Sequence, residues 1–237
     1  NHYDPNSLIS LFNELSVKTP MEVDWDFAYV LSAALDLAEV TQGAYDVTVN
    51  PLSDLWGFGP AGPTQFPSND DIRSALARVG SEHLEWQSDI RRLSKLAPGV
   101  ELDFSSLAKG YAVDVLANYL KSKSLESYLV EIGGEIVAQG KSPKFQGFWK
   151  IAIDDPLQDD ERKFIRTVTL KNEALATSGN YRKFAVDEDT GLRIAHSINP
   201  KTGLAIPSKV LSASVKAPDC ITADAYATAF MLSLIHI

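Results

Sequence analysis

A run of short strand patterns fills the second half of the chain, and this run limits the fold more than any other feature. The pattern predicts an α+β fold with largely antiparallel sheets. The predicted strands are Tyr128–Ile132, Glu135–Gln139, Trp149–Ile153, Thr167–Leu170, Tyr181–Val186, Leu192–His196 and Val210–Lys216. Turn-forming residues at Asp187–Gly191 predict a hairpin between two of these strands.

Helical spacing of apolar residues dominates the first half and returns at the end. The predicted helices run from an Asp4-Pro5 start to about Leu15, from Trp25 to Thr41, from Ser68 to Val79, from Leu107 to Leu120 and onward from a Thr222 cap. Further predictions are strands at Tyr45–Val49 and Val100–Phe104, a hairpin of His83–Trp86 with Arg91–Leu96, and an aromatic, glycine-rich loop at Pro51–Pro60. No Pro/Gly/Ser linker separates the halves. We therefore expect one domain over residues 1–237, built from interleaved lobes and truncated at both ends.

Composition excludes several classes of protein. The chain has 237 residues, of which 45% are hydrophobic, as expected of a globular protein with a sizeable core. Its formal charge of -9 argues against a nucleic-acid surface and favours a metal ion wherever a phosphate must be held. One cysteine, Cys220, gives no disulfide framework. No apolar run reaches the length of about 18 residues that a membrane span needs.

The segment Ala195–Gly203 places a histidine beside a turn. Asn199-Pro200 breaks regular structure and Gly203 closes the turn, so His196 is predicted at a strand end. A neutral imidazole there can take a proton from an incoming hydroxyl near physiological pH. The alternative is a histidine that only caps the strand through a backbone hydrogen bond.

Residues that could bind a phosphate or a metal ion lie near the start of two predicted helices. Lys109 lies in the first turn of a helix, where a cation opposes the helix dipole unless a phosphate is close. Asp224 and Thr228 are four residues apart on the final helix, so their oxygens face the same way and suit a hard cation such as Mg²⁺. The alternatives are a solvated lysine and an aspartate that complements the dipole of its own helix.

Five motifs occur in one chain in this order: Gly43–Asp46 with Pro51–Pro60, Asp103 with Ala108–Asp114, Thr177–Tyr181, His196–Gly203 and Ala223–Thr228. Together they closely resemble the ApbE family of FAD:protein FMN transferases. The resemblance covers nearly the whole chain. It implies an ApbE-like fold of interleaved α/β lobes, with metal ligands on the final helix.

The resemblance also implies roles for individual residues. His196 would be the base for the acceptor hydroxyl. Mg²⁺ would be held by the side chains of Asp224 and Thr228 and by the backbone carbonyl of Ser106. The implied FAD contacts are Tyr3, Ala44, Tyr45, Asp46, Asp103, Lys109 and Ile198.

The implied reaction transfers FMN from FAD to a threonine or serine hydroxyl of an acceptor flavoprotein, forms a phosphoester bond and releases AMP. Acceptors in the family are subunits of the Na⁺-translocating NADH:quinone reductase and of Rnf-type redox complexes. The family also implies a place in the bacterial periplasm, with a lipid anchor upstream that holds the protein to the inner membrane. Two alternatives stay open: a Mg²⁺-dependent FAD pyrophosphatase that uses water and releases FMN and AMP, and a non-catalytic flavin-binding protein.

Overall fold

The computed structural model describes residues 4–59, 62, 66–144, 146–157, 163–180, 184–186, 193–195, 197–205 and 210–232, with the backbone alone at 184–186 and 193–195. The chain divides into two compact units. The first unit comprises Asn1–Ser105, Lys183–Ser208 and Leu232–Ile237, and the second comprises Ser106–Arg182 and Lys209–Met231. Each unit is therefore assembled from separate stretches, which agrees with the prediction of interleaved lobes.

The helices and strands alternate irregularly along the chain. Up to residue 122 they are α1 (Leu8–Glu14), β1 (Met21–Glu22), α2 (Trp25–Val40), α3 (Asn50–Leu55), α4 (Asn69–Leu76), a short 3₁₀ helix (Ser81–His83), β2 (Leu84–Gln87), β3 (Arg92–Lys95) and α5 (Ala108–Ser122). The later ones are β4 (Tyr128–Ile132), β5 (Glu135–Gln139), β6 (Lys141–Ser142), β7 (Gly147–Asp154), β8 (Phe164–Leu170), β9 (Glu173–Gly179), β10 (Phe184–Val186), β11 (Arg193–Ala195), β12 (Ser212–Ala217) and α6 (Cys220–Leu232).

Antiparallel pairing prevails, as predicted. The first unit holds a sheet in the order β1-β3-β2 and the ladder β10-β11. The second unit holds a sheet in the order β12-β9-β5-β4 and another in the order β6-β7-β8. The predicted hairpin turn at 187–191 lies outside the described residues, although the strands on either side of it pair.

Local sequence signals explain where the predicted helices begin. Asp24 accepts a hydrogen bond from Phe27 N at 2.8 Å and caps α2. Ser68 and Asp71 form a capping box at the start of α4, where the sequence predicts a helix from Ser68. Burying an aliphatic or aromatic side chain such as Leu31 contributes about 1.5–3 kcal/mol, and α2 buries several on the face it turns to the first unit's core.

Small residues join α5 to α6 inside the second unit. α5 buries Gly110, Val113 and Ala117, and the latter two share a core cluster with Ala223 of α6. In the sequence, helical spacing in this segment predicts an apolar face of Leu107, Tyr111, Val115, Leu116, Tyr119 and Leu120. That face is wrong in part, because Val115, Leu116 and Tyr119 are about half exposed. Close helix approach favours the small side chains over the large ones.

Several predicted elements differ from the observed ones. No strand forms at Tyr45–Val49 or Val100–Phe104, where Val49 and Glu101 make one isolated parallel bridge. Part of the predicted Pro51–Pro60 loop is helix α3, with a proline in its first turn.

Two predicted helix caps are also wrong. Ser7, rather than Asp4, caps α1 by accepting from Ser10 N. Thr222 lies inside α6 and donates its N–H to Asp219 at the start of that helix. Among the described residues, no helix is both long and apolar enough to span a membrane.

Candidate functional site

Asp224 lies buried on α6, where the start of α5 reaches it. A Cβ added to Gly110 would lie 2.4 Å from Cys220 O and 2.8 Å from Asp224 Cβ, so only glycine allows this approach. The Gly110 N–H donates to Asp224 Oδ2 at 2.9 Å. The helix start that was predicted to favour an anion therefore binds a carboxylate of its own chain.

Lys109 and two carboxylates form a charged cluster in the second unit. Lys109 Nζ donates to Glu135 Oε1 and lies 3.7 Å from Asp224 Oδ1. The side chains of Glu135 and Asp224 are 2% and 3% exposed, whereas that of Lys109 is 48% exposed. Lys109 is therefore about half exposed and also paired with carboxylates, and the cluster carries one surplus negative charge when all three groups are ionised.

The surroundings of Asp224 resist its ionisation. Burial raises the pKa of Asp224 to about 7; Lys109 opposes that rise, and the nearby Glu135 carboxylate adds to it. The hydrogen bond from Gly110 also favours the charged form. A second cation beside Asp224 would stabilise its ionised carboxylate, because that cation offsets the cost of burying the negative charge.

Sequence reasoning missed Glu135. It begins β5 directly after Gly133 and Gly134, whose positive φ angles of 64° and 107° form the turn out of β4. The signal was available as an acidic residue at the start of an otherwise buried strand, where charged side chains are rare unless paired. The pattern does not reveal its partner, since Lys109 lies 26 residues away.

Thr228 lies one helical turn beyond Asp224, as predicted. Its Oγ1 is 3.1 Å from Ser178 Oγ on β9. The neighbouring Thr177 Oγ1 is 2.7 Å from Ser214 Oγ on β12. Thr177 and Ser178, which begin the predicted motif Thr177–Tyr181, therefore lie in the sheet that packs beside α6.

A divalent cation would find few protein ligands here. Across the part of the chain that the structure describes, no group of three or more His, Cys, Asp and Glu side chains could hold a metal ion. Asp224, Thr228 and the Ser106 carbonyl would supply three oxygens at most. Such a set suits Mg²⁺, which usually binds through one or two carboxylates and takes its other ligands from phosphates and water.

Asp114 fixes the start of α6. Its carboxylate accepts hydrogen bonds from Cys220 N at 2.8 Å and from Ile221 N at 2.8 Å. Burial raises the pKa of Asp114, and these two hydrogen bonds oppose the rise. The predicted motif Ala108–Asp114 therefore contacts α6 at both of its ends, through Gly110 and Asp114.

In the first unit, the segment of Ala44, Tyr45 and Asp46, which was predicted to contact FAD, leads into a turn that Asp46 holds by hydrogen bonds. Asp46 Oδ1 accepts from Thr48 N at 2.8 Å and from its Oγ1 at 2.6 Å, and Oδ2 accepts from Ser81 N at 2.9 Å. These bonds draw the backbone away from a strand. Ala44, Tyr45 and Asp46 are all buried, so the side chain of Asp46 serves the fold here.

Asp103 and Ile198 also lie in the first unit. Asp103 Oδ1 accepts from Ser105 N at 2.7 Å, and its own N–H donates to Val47 O at 2.8 Å. Ile198 is buried in a cluster with Leu52, where it forms an isolated antiparallel bridge with Ala205.

The turn after Ile198 is held by its own side chains. Asn199 Oδ1 accepts from Lys201 N at 2.8 Å, and Gly203 has a φ of 69°. Trp56 Nε1 donates to Gly203 O at 2.8 Å. Trp56, which lies in the predicted aromatic loop, therefore packs against the turn that ends at Gly203, beside the position predicted for the catalytic base. His196 and Tyr3, the predicted base and an aromatic FAD contact, lie outside the described residues.

Comparison with known proteins shows the family of this chain. The model of the ApbE family matches residues 1–234. Two curated relatives are FAD:protein FMN transferases from Haemophilus influenzae, 42% identical over 230 residues, and Vibrio cholerae, 40% identical over 231 residues. These matches cover 95% and 97% of this chain and 66% and 67% of the relatives. The chain thus spans about two thirds of the length of the curated relatives it matches.

Solved structures give the same result. The flavin transferase ApbE from Vibrio cholerae matches with a TM-score of 0.86 and 38% identity, over 98% of this chain and 72% of that one. The apo flavinyl transferase ApbE from Pseudomonas stutzeri matches with a TM-score of 0.85 and 35% identity, over 98% of this chain and 70% of that one. The mixed α+β fold with antiparallel sheets is therefore the fold of these transferases.

Proposed function

The chain belongs to the ApbE family, and from this premise we propose that it catalyses FAD:protein FMN transfer. The acceptor hydroxyl oxygen bonds to the phosphorus on the FMN side of the FAD diphosphate. The bond from that phosphorus to the bridging oxygen breaks, and AMP leaves with the bonding electrons. The hydroxyl proton passes to a base. Positioning and charge neutralisation are the main demands of such a phosphoryl transfer.

The observation that carries this proposal is the buried cluster of Lys109, Glu135 and Asp224. Two buried carboxylates share one ammonium group, and one oxygen of Glu135 has no hydrogen-bond partner among the described residues. Their surplus negative charge fits a divalent cation. Asp224, Thr228 and the Ser106 carbonyl would hold Mg²⁺, which supplies charge neutralisation to the diphosphate when bound.

The other site residues keep the roles that the resemblance implies. In this proposal His196 accepts the proton of the acceptor hydroxyl, which raises the nucleophilicity of its oxygen. Lys109 contacts the diphosphate of FAD. The remaining FAD contacts are Tyr3, Ala44, Tyr45, Asp46, Asp103 and Ile198. Since Asp46 already accepts three hydrogen bonds within the protein, contacts from that segment would come mainly from its backbone.

The wider setting is also a proposal, and the resemblance alone supports it. Residues 1–237 form one ApbE-like domain of a protein that works in the bacterial periplasm. An upstream lipidated segment anchors the protein to the inner membrane. The acceptors are subunits of Na⁺-translocating NADH:quinone reductase or Rnf-type complexes. Recovery of the complete gene product in the cytoplasmic fraction would contradict this placement.

One assay tests the activity directly. The protein is incubated with FAD, Mg²⁺ and an acceptor domain that carries the target threonine, and both AMP release and acceptor mass are followed. The proposal predicts AMP release matched by the addition of FMN to the acceptor. An acceptor with valine at the target position is the control and should stay unmodified.

The same assay separates the alternatives. AMP release without a change in acceptor mass would favour the pyrophosphatase. FAD that binds but stays intact would favour a flavin-binding protein.

A further inference from the structure

Glu135 is a buried charge whose role the proposed reaction leaves open. Its Oε1 accepts a hydrogen bond from Lys109 Nζ, while its buried Oε2 has no hydrogen-bond partner among the described residues. Leaving a carboxylate oxygen desolvated and unsatisfied costs free energy, and the cost is larger for a charged group than for a neutral one. A neutral residue at the start of β5 would avoid that cost. The fold alone therefore does not account for the charge.

The Lys109 ammonium divides its contacts unequally between the two carboxylates. It makes a hydrogen bond to Glu135 but lies 3.7 Å from Asp224 Oδ1, beyond ordinary hydrogen-bond length. Asp224 Oδ2 is already bound to Gly110 N. The ammonium group therefore donates a hydrogen bond to Glu135 and not to Asp224, although Asp224 is close enough to become its partner.

The turn before Glu135 lies over this pair. A Cβ added to Gly133 would be 3.5 Å from Glu135 Oε2 and 3.6 Å from Lys109 Cδ. The backbone of the turn therefore lies next to the ion pair, whose Glu135 side chain is only 2% exposed. In such surroundings, charges act on each other more strongly than on an open surface.

We propose that Glu135 is a positioning residue that holds the Lys109 ammonium away from Asp224 and so keeps the Asp224 carboxylate open to a divalent cation. This inference rests on the metal site of the proposed function. Without the charge of Glu135, Asp224 would be the carboxylate left beside Lys109. The ammonium would then compete with the metal for it, and the cluster would also lose its surplus negative charge. Both effects weaken metal binding.

The test measures metal affinity rather than turnover. Mn²⁺ and Mg²⁺ are titrated by calorimetry into FAD-free protein, with and without saturating ADP as a diphosphate that donates no flavin. Glu135→Gln should bind the metal about 10–100-fold more weakly than the parent, as expected when a partner of a metal-binding group is lost. Glu131→Gln is the matched control, because it removes an exposed carboxylate at the same turn and should leave the affinity unchanged.

A double variant separates positioning from direct ligation. Adding Lys109→Met to Glu135→Gln removes the competing ammonium, so the metal affinity should recover towards that of the parent. If Glu135 were itself a ligand or only a structural residue, the double variant would bind as weakly as Glu135→Gln. That outcome would overturn the inference, as would parental affinity in Glu135→Gln.

Two further measurements complete the test. Should Glu135→Gln fail to fold in thermal unfolding, the double variant decides, because without the ammonium it should bind the metal with an affinity close to that of the parent; binding about 10-fold weaker or more would overturn the inference. Asp224→Asn tests the proposed site itself. If it binds metal like the parent, or if the parent binds none, the metal assignment fails, which is distinct from a failure confined to Glu135.

Discussion

The Gly110 N–H and the Asp224 carboxylate, 114 residues apart in the chain, meet at 2.9 Å. The bond requires the backbone of α5 to lie against α6, where no side chain fits at position 110. The position of Asp224 therefore depends on a residue that has no side chain of its own.

Gly110→Ala should destabilise the protein although alanine is the better helix former. The methyl group would lie 2.4 Å from the Cys220 carbonyl oxygen. Overpacking costs about 1–3 kcal/mol, and the gain in helix propensity returns about 1 kcal/mol at most. Urea unfolding should show a net loss of about 1–2 kcal/mol. Asn118→Ala, on the exposed side of α5, is the control and should leave stability unchanged or slightly raised. Equal stability of the two variants would contradict this account.

The pKa of Asp224 predicts how stability depends on pH when metal is absent. Its folded pKa of about 7 lies above the ordinary value of 3.8, so the folded state binds the proton more tightly than the unfolded state. This contribution is fully present below the unfolded value and is lost as the pH rises through about 7. Asp224→Asn should remove this fall in unfolding free energy, measured in chelator across that pH range. An unchanged slope would assign the fall to other groups.

Asp46→Ala should lower the stability of the first unit, and we expect this loss to be its main effect rather than a direct loss of ligand binding. It would leave the N–H groups of Thr48 and Ser81 without their acceptor, at about 1–3 kcal/mol for each buried group. Chemical unfolding should show a loss of at least about 2 kcal/mol. Asp36→Ala, on the exposed side of α2, should stay within about 0.5 kcal/mol of the parent. If Asp46→Ala keeps full stability but loses FAD affinity, the residue acts on the ligand through its side chain.

His196→Ala should slow FMN transfer by about 10²–10⁴-fold, the usual contribution of a general base. FAD binding should survive, because the proposal assigns the phosphates to Lys109 and the metal. The measurement compares acceptor flavinylation and FAD affinity in the variant and the parent. His83→Ala, which alters a histidine of the 3₁₀ helix, is the control. Near-normal flavinylation by His196→Ala would remove His196 from the mechanism.

The sequence was most informative where local signals determine structure. β4, β5 and the start of α4 appear where they were predicted. β9 was not predicted as a strand, because its buried Ala174, Leu175 and Ala176 do not alternate with polar residues. Such a strand lies between two others and appears in the sequence as a run of small apolar residues. Tyr45–Val49 did alternate, but the side-chain hydrogen bonds of Asp46 outweigh that pattern.

The candidate site could be predicted only in part. Asp224, Thr228 and Lys109 are predicted as site residues from their helix positions and the family resemblance, and in the structure Lys109 Nζ lies 3.7 Å from Asp224 Oδ1. Glu135 could not be identified in this way, because its partner comes from a distant helix. A charge pair formed by tertiary structure leaves no periodic signal in the sequence.

The pairing of β9 with β12 has a consequence for synthesis on the ribosome. The two strands pair from Ala174 with Ala217 to Gly179 with Ser212, and the chain between them includes β10 and β11 of the other unit. Until Ser212 has been made, β9 has an open edge, and α5 lacks the helix that covers Gly110. An emerging chain therefore completes its second unit only after β12 and α6 have been made. Until then, the exposed strand edge is a site for aggregation or chaperone binding.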